Sequence, residues 1–116
     1  MINSYRDLVV WQRAMELVEE VYRLVRLLPK EEGYGLSDQL RRAVVSIPSN
    51  IAEGYGRMAA KDYSRFLVIA RGSKYELETQ LEICCRVGYL KEKDVERAFK
   101  LCESVGKMLN SILAKL

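Results

Sequence analysis

The chain has 116 residues, a net charge of +3, 49% hydrophobic and 30% charged side chains; that length holds one core, and that composition is too apolar for a disordered segment. No apolar run reaches the roughly 20 residues that a bilayer span requires, and the stretch from Met1 to Asp7 lacks a signal peptide's apolar core, so a membrane span is excluded and a cytoplasmic setting is expected. Histidine is absent, which removes imidazole bases and ligands, while three cysteines, two of them adjacent, fit free thiols better than disulfides or a zinc spacing.

Leu8, Trp11, Met15, Val18, Tyr22, Val25 and Leu28 recur every three or four residues, which predicts a first helix with this stripe facing the core and Asp7 as its cap. Pro29 should stop it at about Leu28. After a loop from Lys30 to Gly35, a second helix is predicted through Leu40, Val44, Ile47 and Ile51, with Ser37 or Asp38 satisfying free amides at its start. Pro48 is expected to kink this helix or split it, and the kinked form is preferred.

Gly54, Tyr55, Gly56 and the residues to Ala60 read as a hinge. A third helix from Lys61 to Val87 carries Phe66, Leu67, Ala70, Ser73, Leu77, Leu81 and Cys84 and ends at Gly88, suited to a left-handed cap. A fourth, from about Lys91, carries Val95, Phe99, Cys102, Val105, Leu109, Ile112 and Leu116. Four long helices with short connections specify an all-α fold, an antiparallel up-down-up-down four-helix bundle forming a single domain over residues 1–116, with a three-helix arrangement as the alternative.

The charge is unevenly placed. Residues 41–74 hold seven basic and two acidic side chains, whereas 1–40 hold five and seven, and 75–116 hold seven of each. Arg41, Arg42, Arg57, Lys61, Arg65, Arg71 and Lys74 are therefore the candidate phosphate contacts, with Tyr55 and Tyr63 available for base stacking; binding of this kind is sequence-tolerant and salt-sensitive. The competing reading is a solvated, ion-paired helix face.

Glu76, Glu78 and Glu82 invite a metal or acid–base role, but bundle metal sites of the di-iron kind use Glu-x-x-His pairs, so these carboxylates are expected to pair with nearby Lys or Arg. Gly54-Tyr55-Gly56 lacks the Gly-Lys-Ser/Thr ending of a phosphate loop. Cys84 and Cys102 lie on apolar stripes and read as core residues. No catalytic constellation, cofactor site, metal site or small-molecule substrate is indicated.

The run Tyr34-Gly35-Leu36-Ser37-Asp38-Gln39-Leu40, continuing through Ser46-Ile47-Pro48-Ser49-Asn50-Ile51-Ala52-Glu53-Gly54, resembles the signature of the 23S rRNA-intervening-sequence proteins. Asp7-Leu8-Val9-Val10-Trp11-Gln12, the stretch from Phe66 to Ser73 and Gly88-Tyr89-Leu90 extend the resemblance over almost the whole chain. It implies a four-helix bundle that assembles as a homopentamer, with relatives encoded inside bacterial rRNA genes and a similar bundle acting as the nucleic-acid-binding accessory protein of diversity-generating retroelements.

The motif also admits a structural account. Ser46, Pro48, Ser49, Asn50, Glu53 and Gly54 would shape a helix kink or an interface: Ser and Asn oxygens would accept amides freed at the proline, and Glu53 would pair with Arg57. Two functions follow from the sequence. A non-catalytic oligomer that binds RNA or DNA through its basic surface stands narrowly ahead of a structural or protein-interaction scaffold oligomer with no nucleic-acid role.

Overall fold

The computed structural model describes all 116 residues. Four helices, α1 (Val9–Val25), α2 (Leu36–Tyr55), α3 (Ala60–Arg86) and α4 (Glu92–Ala114), account for nearly all the regular structure, with single 3-10 turns at Tyr5–Asp7 and Lys30–Glu32. There is no strand. Each helix packs on two neighbours, α2 most extensively on α3, and the particle measures 43 × 25 × 20 Å. α2 and α3 run in opposite senses, Ser46 beside Ser73 and Gly54 beside Phe66, as the short connection between them requires.

The helix starts differ from expectation. Ser4, not Asp7, caps the first turn through its hydroxyl, and the Asp7 carboxylate accepts from the Asn3 and Ser4 amides. Leu8 therefore opens α1 without a side-chain cap. Neither Ser37 nor Asp38 caps α2; Glu32 reaches forward from the preceding turn to accept the Leu36 amide at 3.1 Å. α1 also ends three residues before Leu28, in a tightened turn where Leu27 and Leu28 bond back to Leu24 and Val25. Gly88, at φ +88°, supplies the left-handed cap expected after α3.

One cluster of apolar side chains runs through all four helices. On α3 it includes Leu67, Ala70, Leu77, Leu81 and Cys84, and on α4 Val95, Cys102, Val105 and Leu109, in agreement with the predicted stripes. Phe66, Ser73, Phe99 and Ile112 are half-buried at its edges, and Leu116 is exposed. On α1 the stripe is corrected. The core takes Val10, Ala14, Leu17, Val21 and Leu24, one residue before Trp11, Met15, Val18, Tyr22 and Val25 at every turn. Met15 and Tyr22 are exposed, and Trp11, Val18 and Val25 only half-buried.

Candidate functional site

α2 runs unbroken from Leu36 to Tyr55 with Pro48 inside it, so the split helix is ruled out. Its motif residues divide between two flanks. Towards α3, the Ser46 and Ser73 hydroxyls are 2.8 Å apart, and the Asn50 amide donates to the Ser46 carbonyl and hydroxyl at 2.8 and 2.9 Å. Asn50 thus acts as donor to a carbonyl, where an oxygen accepting freed amides was expected; the carbonyl it meets is that of Ser46, not that of Val44, the one Pro48 leaves without an N–H partner. At Gly54 the helices nearly touch: a Cβ would lie 2.7 Å from the Phe66 Cβ and 3.1 Å from the Tyr63 ring. Glu53 pairs with Arg57 at 3.5 Å, as expected.

Towards α1, Val45, Pro48, Ser49 and Ala52 meet Tyr5, Trp11, Met15 and Val18 along an open cleft of about 360 Å³. The Tyr5 ring stands edge-on to Trp11 with centroids 5.2 Å apart. Six of the eight lining side chains are hydrophobic; Pro48 is buried and Tyr5, Trp11, Val18 and Ala52 half-buried, while Met15 and Val45, 38% and 41% exposed, leave the outer edge of the cleft open to solvent. Sequence reasoning placed most of these α1 residues in the core. The available signal was that α1 carries two adjacent apolar stripes where a bundle corner needs one.

The seven basic residues do not form one surface. Arg41 donates to the Gly33 carbonyl at 3.1 Å and holds the loop before α2. Arg42 pairs with Asp38 at 2.9 Å. Arg57 lies about 22 Å further along, at 1.5 Å rise per residue, beyond the far end of α2. There it joins Arg65: their guanidinium carbons lie 5.1 and 5.3 Å from the Phe66 ring centroid. Arg65 also approaches Asp62 at 3.7 Å, and exposed Lys61 has no ion-pair partner. Arg71 turns instead to α4, donating to Asn110 at 2.9 Å.

Lys74 leaves the surface altogether. Its side chain is only 8% exposed, its ammonium sits 3.3 Å from Glu78 and 4.3 Å from the Tyr75 ring centroid, and Gly106 on α4 makes the room it occupies. A basic cluster of Arg57, Lys61 and Arg65 therefore remains at the α2–α3 end. Tyr55 and Tyr63 stand beside it, but their rings pack edge-to-face on each other at 6.0 Å, and burial pushes the Tyr63 phenol up.

The other candidates resolve into structure. Glu78 and Glu82 pair with Lys74 and Arg86, and no three of the Cys, Asp and Glu side chains converge as ligands would. All three cysteines are free. Burial pushes the Cys84 thiol up to about 11 and Cys102 up to about 12, making both poor nucleophiles near neutral pH. At the opposite end of the bundle, the Tyr89 hydroxyl donates to Glu32 at 2.7 Å, tying the α3–α4 connection to the start of α2. That bond and the Leu36 amide hold the Glu32 carboxyl below its usual range. A Cβ at Gly35 would lie 2.8 Å from the Glu32 oxygen, so a larger residue would displace the carboxylate from the Leu36 amide.

The fold and its faces define an all-α four-helix bundle whose notable surfaces are an open apolar flank and a small basic end. The particular family follows from comparison: residues 6–111 match the 23S rRNA-intervening sequence protein family, and the chain belongs to it. It is similar to a crystal structure of a protein of unknown function from the S23 ribosomal protein family of Bacteroides thetaiotaomicron, at 26% identity and a TM-score of 0.83, covering 90% of this chain and 97% of that one. No curated protein matches the chain.

Proposed function

We propose that the protein is a non-catalytic module that acts by binding, first of all to copies of itself through the α1–α2 flank. The apolar cleft carries this reading. Its exposed members, Met15 and Val45, still present 38% and 41% of their surface to water, and covering that remainder contributes on the order of 1 kcal/mol each to association. The resemblance to pentameric relatives sets five copies as the expected assembly. Three free thiols and the lack of any helix long and apolar enough to cross a membrane fit a cytoplasmic setting.

The test is light scattering of the wild type beside Met15→Glu/Val45→Glu. The wild type should have the mass of an oligomer, and the variant should fall towards monomer with its helix content intact. A monomeric wild type, or a variant of unchanged mass, would sink the reading.

A second reading is supported by the cluster of Arg57, Lys61 and Arg65 around Phe66, and by the family's name, which points to rRNA. Each exposed pair holding these arginines is worth little in water and can be exchanged for a phosphate. The other basic residues are scattered or engaged elsewhere, which leaves this small cluster to carry any RNA or DNA binding by the oligomer. In an oligomer, repeated copies of this end would add avidity. Fluorescence anisotropy with a labelled structured RNA and a DNA duplex should give affinity that falls steeply with salt and is lost in Arg57→Glu/Lys61→Glu; equal binding by the variant would exclude the cluster.

A further inference from the structure

The connection between α2 and α3 holds a strained residue that the fold itself does not use. Met58 has φ +71° and is the only residue other than glycine in the left-handed region. Across it the Ala59 amide donates to the Arg57 carbonyl at 2.8 Å. A bond between residues two apart about a positive φ marks the rare, strained form of the three-residue turn, in which a side chain crowds its own backbone. Glycine relieves that crowding, yet the glycine of this connection is Gly56, two positions earlier, at an ordinary φ of −74°. The side chain kept at the strained position adds no packing to the subunit, since Met58 is 94% exposed.

Met58 belongs to the basic end of the bundle. Arg57 precedes it, Lys61 follows in the first turn of α3 and Arg65 in the next, all three exposed. The carboxylates nearest the two arginines, Glu53 at 3.5 Å and Asp62 at 3.7 Å, are exposed too and readily exchanged for phosphates. Tyr55 and Tyr63 are occupied with each other, so Met58 is the apolar side chain that this cluster can offer to a base. We propose that Met58 is a wedge: with Arg57, Lys61 and Arg65 on the phosphates of a duplex, its thioether chain enters the stack beside an unpaired base, and the α2–α3 end thereby selects bulged over fully paired nucleic acid. Methionine is flexible and polarizable, and parting the bases costs least where pairing is already broken. A lipid surface fits less well, because firm anchoring there takes an apolar helix face or a second signal, and this connection has one large apolar side chain. The proposal rests on the reading that the Arg57, Lys61 and Arg65 cluster binds RNA or DNA, and adds the form of nucleic acid that it takes.

The test is fluorescence anisotropy of the full chain with a labelled RNA duplex, the same duplex carrying one unpaired adenine, and the DNA counterparts of both, with a fluorescent purine analogue beside the bulge. The wild type should bind the bulged duplex about tenfold more tightly than the paired one and change the emission of the analogue. Met58→Gly should bind both duplexes alike and leave the analogue unchanged, while its melting temperature rises by roughly 4 °C as the turn relaxes. Met58→Leu should keep the preference. A gain of stability together with a loss of selectivity separates the wedge from a mere folding role. Equal wild-type affinity for the two duplexes, or a preference that Met58→Gly retains, would overturn the wedge while leaving the phosphate contacts standing. A wild type that binds neither duplex would overturn both readings. Capture by vesicles of phosphatidylglycerol and phosphatidylcholine that Met58→Gly abolishes would assign the tip to a membrane surface and overturn the proposal as well.

Discussion

The two flanks of α2 are made from one short stretch of sequence and have opposite surroundings. Towards α3, Ser46, Asn50 and Gly54 are small or polar because the backbones come close: hydroxyls meet at 2.8 Å, and a methyl group at Gly54 would collide with Phe66. Towards α1, Val45, Pro48 and Ala52 are apolar, yet the cleft they share with Trp11 and Met15 stays open. Space selects the residues on the closed flank. On the open flank Met15 and Val45 stay exposed, and this is the excess that the proposed self-association would cover.

The contrast breaks most readily at paired truncations. Ile51, fully buried, should lose about 2–5 kcal/mol on replacement by alanine. Val45→Ala, on the open flank of the same helix, should change monomer stability by no more than about 0.5 kcal/mol. Urea unfolding of dilute protein measures both, and similar losses would abolish the distinction. The glycines give a smaller contrast of opposite sign. Gly54→Ala should destabilise by roughly 1–3 kcal/mol through overcrowding despite better helix propensity, whereas Gly72→Ala, where a Cβ would meet nothing within 4 Å, should stabilise the monomer by about 1 kcal/mol.

The smallest effect belongs to the far end of the bundle and depends on pH. Because the Glu32 carboxyl is held below its usual value of 4.5, chiefly by the Tyr89 hydroxyl, its contribution is present above that value and drains away as the pH falls through its lower folded value. Glu32→Gln should therefore lower stability at neutral pH and flatten the acid limb of the stability profile. An acid limb identical to the wild type's would contradict the bond to Tyr89.

The sequence revealed the four helices, the stop at Gly88, and the cores of α3 and α4, because each of those helices has one dominant apolar stripe between clear stop signals. α1 was misread for a specific reason. Val10, Ala14, Leu17, Val21 and Leu24 run beside Trp11, Met15, Val18, Tyr22 and Val25, and periodicity reports that a stripe exists without telling which of two adjacent stripes meets the neighbouring helices. The Ser4 cap was legible in the Ser4-x-x-Asp7 spacing of a capping box but was assigned to Asp7, and the Glu32 cap was missed because that carboxylate reaches forward from the preceding turn. Charge counted along the chain likewise could not show that Lys74 inserts beneath α4 at Gly106 or that Arg71 reaches Asn110, since both depend on which helix lies alongside.

The single tryptophan of the chain lies in the open cleft, so its fluorescence reads the central claim directly. Trp11 emission and iodide quenching should be followed through a dilution series while light scattering reports mass. At high concentration the mass should be that of an oligomer, with emission shifted to the blue and quenching suppressed; on dilution, emission and quenching should revert together with the mass. An oligomer in which Trp11 stays as open to iodide as in the dilute monomer would contradict assembly through the α1–α2 flank.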